Sequence, residues 1–122
     1  MSTSINFNQE TSKLASQLSV FNGDLSAITN YFLDDLGFEG VVIYKDKPDA
    51  YFDYHFHNSD DYIYVLEGSM VINSEGVDLK MSAGDTFIFP AMKVHNATIS
   101  PQGCKYIIAT KKGDFEAIFT KK

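Results

Sequence analysis

His55, His57 and His95 are the only histidines in the chain, and a single residue separates the first two. On an extended strand, side chains at i and i+2 point the same way, roughly 6.6 Å apart. The segment YHFHNSDDYIYVLEG, running from Tyr54 to Gly68, therefore offers two imidazoles to one side. Asp61 comes four residues after His57, just over a turn, and can return a carboxylate to that side. With His95 added from a distant strand, three nitrogens and one oxygen suit a divalent first-row metal with positions open for water, substrate or O₂. A His-x-His pair alone is weak evidence, because exposed or hydrogen-bonded core histidines account for most such pairs. The same alternation puts Tyr51 and Asp53 on the histidine face, which makes both candidate catalytic residues. Asp53 can hold a ligand histidine's second nitrogen, carry a proton, or sit in water at the rim.

These residues need elements to position them. Residues 1–12 are polar, with a frayed start. A short helix or turn fits Leu14 to Leu18. Asp24 is placed to cap a second helix carrying Leu25, Ile28, Phe32 and Leu36 on one face, with Gly37 as its stop. From Phe38 onward, short β-like runs alternate with turn residues such as Lys47-Pro48-Asp49, Asn58-Ser59-Asp60 and Pro101-Gln102-Gly103. About eight closely spaced strands predict an all-β antiparallel sandwich or barrel over residues 38–122. Residues 1–37 form an N-terminal, partly helical extension packed on it. Alternation faces Asp61, Ile63 and Val65 one way and Tyr62 and Tyr64 the other.

Composition narrows the partners. The chain has 122 residues and a net charge of −6, and all ten basic residues are lysine. That balance excludes a basic nucleic-acid face, and with no arginine there is no guanidinium clamp for anionic substrates. Ten Phe and seven Tyr supply a core of large rings. Cys104 is the lone cysteine, so no disulfide forms within the chain. No signal-like or membrane-spanning apolar run is present, so a cytoplasmic protein without membrane contact is expected.

The histidines also fall in a recognisable pattern. His55, His57, Asp61 and Gly68 resemble the first motif of the cupin superfamily, with Asp61 where that motif has Glu. Gly84, Pro90 and His95 resemble its second motif. Asp49, Met92 and Ile99 depart from it, standing where the motifs have Gly, Gly and Asn. The first motif is broadly similar to that of acireductone dioxygenase-like cupins. The resemblance spans about residues 40–110 and implies a single-domain cupin, a double-stranded β-helix or jelly-roll barrel. It implies a divalent metal on His55, His57, His95 and Asp61, iron foremost, with manganese, nickel or zinc as alternatives. Asp61 is one methylene shorter than Glu, so it binds directly, through water, or by orienting a histidine. The activity implied is a dioxygenase-type reaction on a small organic molecule. Metal-dependent isomerase or lyase chemistry and non-catalytic binding of a sugar-like ligand are the alternatives. Small cupins commonly pair through the outer sheet, so a homodimer is expected, with Tyr54, Phe56, Tyr62 and Tyr64 suited to burial in it.

Overall fold

The structure is a computed structural model describing the backbone of residues 9–120 and the side chains of residues 13–120. Two helices come first. α1 spans Gln9–Ser19 and α2 spans Leu25–Asn30, whose helical path widens into a π-helical segment at Tyr31–Asp35. Asp24 caps α2 as its position predicts, its Oδ1 accepting from the Ala27 amide at 3.1 Å. Gly37, at φ 74°, turns the chain out of the helical region. The polar residues 1–8 lie outside the described residues.

Among the described residues, seven strands follow: β1 Gly40–Asp46, β2 Tyr51–Phe56, β3 Asp61–Ser74, β4 Val77–Ser82, β5 Thr86–Phe89, β6 His95–Thr110 and β7 Ile118–Phe119. All pairings are antiparallel. β3 and β6 are long enough to belong to two half-sheets. Their first and last portions respectively make β5–β3–β6–β1, and their other ends make β4–β3–β6–β2–β7. The crossing point is a pair of close glycines. Gly68 at φ 74° lies against Gly103 at φ 82°, and a Cβ on Gly68 would come 2.0 Å from the Gly103 carbonyl oxygen. Bulges flank Gly68 in the β3–β6 register, bending the strands from one half to the other. Pro101-Gln102-Gly103, expected to end a strand, is instead a bend within continuous β6.

Two apolar clusters result. Ile63, Val65, Met70, Ile72, Phe87, Phe89 and Ile99 fill the space between the half-sheets. Leu14, Leu18, Ile28 and Phe32 cover the outer face of β3 and β6 at Tyr62, Tyr64, Ile107 and Ala109. Tyr62 and Tyr64 point outward as alternation predicts, yet both are buried. The chain's own helices cover them, which corrects the expectation that they face a partner subunit. Among the described residues, no helix is long and apolar enough to cross a membrane.

Candidate metal centre

β2 and the start of β6 bring the histidines together. His55 pairs directly with His95 across the two strands, and their ring centroids are 4.5 Å apart. His57, just past the end of β2, places its ring 5.1 Å from His55 and 5.5 Å from His95. One candidate ligand atom from each of the three lies within 4.8 Å of the other two. All three are buried, and Phe89 stacks on His95 at 4.1 Å.

Each ring is held from behind by a backbone carbonyl. His55 Nδ1 donates to the Asp53 carbonyl at 2.6 Å, His57 Nδ1 to the Glu116 carbonyl at 3.0 Å, and His95 Nδ1 to the Lys93 carbonyl at 2.9 Å. A carbonyl only accepts, so the proton sits on Nδ1 and Nε2 keeps its lone pair. His95 Nε2 is buried with no hydrogen-bond partner. Burial lowers the pKa of His95 to about 4, partly offset by the Lys93 carbonyl and reinforced by His55 and His57. His57 is also lowered, by burial first. Neutral imidazoles with fixed tautomers and free Nε2 atoms are the ligating form, so the three residues fit a divalent metal.

Asp61 lies behind this group. It is 1% exposed, and its Oδ2 stands 3.4 Å from His57 Nδ1, on the ring edge that also meets the Glu116 carbonyl. It is not one of the three residues whose ligand atoms converge. Among the described residues, neither carboxylate oxygen has a hydrogen-bond partner, since the Nδ1 proton goes to the Glu116 carbonyl. Burial raises the Asp61 pKa to about 7, with Asp114 and Asp60 adding to the shift.

Tyr51 and Asp53 do not reach the cavity. Opposite β6, the register advances by one residue between Phe52 and His55, so Asp53 and Tyr54 together face Asn96. This bulge inverts the alternation. Phe52, not Asp53, shares the cavity wall with His55 and His57. Tyr51 is 55% exposed, and Asp53 accepts from the Tyr54 amide and the Tyr51 hydroxyl at the surface. Asp53 acts on the site through its backbone carbonyl alone. The cavity holds about 140 Å³, and its walls are mostly apolar, including Phe52, Ile63, Met70, Phe89, Ile108 and Phe115. Tyr44 and Tyr106 supply its phenols; Tyr106 donates to Asp46 Oδ2 at 2.6 Å and stacks on Tyr44 at 5.5 Å.

Comparison with known proteins places this architecture. The cupin domain profile matches residues 42–108, more than half of the chain. The chain belongs to the cupin family. Among solved structures, an uncharacterised double-stranded β-helix protein from Klebsiella pneumoniae aligns at TM-score 0.57 and 24% identity, over 67% of this chain and 74% of that one. The polyketide cyclase RemF from Streptomyces resistomycificus aligns at TM-score 0.58 and 22% identity, over 70% and 64%. KdgF from Halomonas sp. aligns at TM-score 0.50 and 27% identity, over 59% and 67%. No curated protein matches the chain.

At two positions where the cupin motifs have glycine, this chain holds a left-handed backbone with another residue. Asp49 adopts φ 61° and Met92 φ 67°. The Met92 amide donates to the His57 carbonyl at 2.8 Å, and the Ala91 amide donates to Asp60 Oδ1 at 2.7 Å. The loops carrying the two motifs are thus bolted together beside the histidines. Sequence reasoning missed Phe52, Phe89, Tyr44 and the segment around Glu116. The carbonyls that orient the histidines carry no residue-type signal, since any residue has one.

Proposed function

We propose that this cupin is a metal-dependent enzyme, of dioxygenase type, acting on a small organic molecule in the apolar cavity. The observation that carries the reading is the set of three buried histidines, each with Nδ1 committed to a carbonyl and Nε2 left for a ligand. A divalent metal held by these three would keep further positions for substrate and O₂, and iron would supply the redox chemistry. Asp61 serves this site from behind, its buried carboxyl group 3.4 Å from the His57 Nδ1 that donates to Glu116, rather than by ligation. The chain's other contribution is to exclude water. Phe52, Phe89, Phe115 and Ile108 wall the cavity, and no lysine lines it, which favours a compact substrate with little charge. Isomerase or lyase chemistry with zinc, nickel or manganese is the second reading, favoured by the site holding three neutral ligands and no converging carboxylate.

The test is to reconstitute metal-free protein separately with iron, manganese, nickel and zinc, and follow O₂ uptake and product formation with a panel of small oxygen-bearing organic molecules. Uptake with iron that vanishes in His95→Ala supports the oxygenase. Conversion without O₂ uptake, under any of the metals, replaces it with the second reading. Binding without turnover by any form returns the protein to the ligand-binding alternative.

A further inference from the structure

The C-terminal segment after β6 is irregular apart from short β7, yet it touches the candidate metal centre at several points. The Glu116 carbonyl takes the Nδ1 proton of His57 at 3.0 Å. Phe119 sits against His55, ring centroids 5.1 Å apart, where β7 pairs with β2. Phe115 and Ala117 form part of the cavity wall. The segment is fastened at both ends. Ser59 Oγ donates to the Asp114 carbonyl at 3.3 Å, and the Thr120 amide donates to the Tyr54 carbonyl at 3.1 Å. Gly40 on β1 makes room for it: a Cβ there would lie 2.7 Å from the Phe115 ring and 2.9 Å from the Gly113 Cα.

We infer that residues 113–120 are a strap whose docking and the metal affinity of the three histidines are thermodynamically linked. The inference rests on the metal-binding reading above and goes beyond it. When the strap is seated, His57 is locked in the tautomer that frees Nε2. When it lifts, His57 loses the Glu116 carbonyl and keeps only the more distant Asp61 Oδ2 near Nδ1, and the cavity loses two wall residues. Linkage is reciprocal, so a metal that needs the oriented His57 must also favour the seated strap. Losing an orienting partner of a ligand histidine typically costs 10–100-fold in metal affinity. Glu116 acts through its main chain, so it is a positioning residue and its side chain is dispensable.

The test uses the full chain, stripped with chelator, and Co²⁺ alone as the probe. Hydrogen exchange of the 113–120 peptide is followed with and without Co²⁺, and Co²⁺ affinity is read from its visible spectrum. The parent is compared with Phe115→Ala, which loosens the strap, and Gly40→Ala, which pushes it outward from β1 without changing the strap's own residues. Co²⁺ is expected to slow strap exchange several-fold in the parent, and each variant to bind Co²⁺ about 10-fold more weakly. Circular dichroism checks that the variants fold; if one does not, exchange in the parent decides the matter. A parent that binds Co²⁺ with strap exchange unchanged overturns the linkage and leaves the metal site standing. A parent that takes up no Co²⁺ overturns the metal-binding reading, and the linkage with it.

Discussion

At the scale of single residues, Asp61 and His95 pull the pH dependence of the metal-free protein in opposite directions. Burial raises the Asp61 pKa from 3.8 to about 7, so the native state keeps a proton that the unfolded chain has released. Stability from this group is present at low pH and is lost as pH rises through that window. Burial lowers the His95 pKa from 6.5 to about 4, so its contribution rises with pH over much of the same range. At about 1.4 kcal/mol per unit, Asp61 accounts for roughly 4–5 kcal/mol at most. We therefore predict that Asp61→Asn gains stability relative to the parent as pH rises from about 4 to about 7. Urea unfolding of chelator-treated proteins checks it, and parallel profiles would contradict it. Met92 is the other residue to test. It is exposed and holds φ 67°, so its side chain has little packing to lose. Relieving a left-handed conformation is worth roughly 1–2 kcal/mol, less the added chain entropy of glycine. Met92→Gly should raise the melting temperature slightly, and a lower value would show that the turn is not strained.

At the scale of elements, the half-sheets meet where Gly68 and Gly103 touch. An alanine at Gly68 would combine a left-handed backbone with a Cβ 2.0 Å from a backbone oxygen. Strain and overpacking each cost roughly 1–3 kcal/mol, so Gly68→Ala should lose about 2–6 kcal/mol in denaturant unfolding. A loss under about 1 kcal/mol would mean that β3 and β6 bend elsewhere. The elements also show what the sequence made legible. Asp24, Ile28 and Phe32 announced their helix, because capping chemistry and a 3.6-residue period leave visible marks. The strand runs and the three histidines were equally readable. The bulge at Asp53 and Tyr54 was not, since one extra residue in a strand changes no residue type, yet it reverses every face before it. That is why Phe52 took the position expected of Asp53. In the sequence Asp61 reads as a ligand candidate; it lies buried beside His57 but outside the converging set, because which side of that ring it occupies depends on three-dimensional register.

At the scale of the whole molecule, the helical extension is part of the structure that holds the barrel. Phe32 is fully buried in the cluster over Tyr62 and Tyr64 and makes an edge contact with Phe38 at 5.3 Å. Phe32→Ala should cost about 3–5 kcal/mol. It should also increase dye binding by exposed apolar surface, and an unchanged melting temperature would contradict the role given to the helices. A homodimer, if formed, must use a surface other than Tyr62 and Tyr64, and light scattering reports its mass. Helices, half-sheets and bolted motif loops together position three buried imidazoles, preset by backbone carbonyls, that would hold one divalent metal with Asp61 behind them. Elemental analysis of protein purified without a metal-affinity tag tests this most directly, beside His57→Ala, His95→Ala and Asp61→Asn. Near one divalent metal per chain is expected in the parent, little in either histidine variant, and a retained though weaker-bound metal in Asp61→Asn. Metal absent from the parent even after incubation with iron, manganese, nickel and zinc, or equal metal in the parent and the histidine variants, would contradict it.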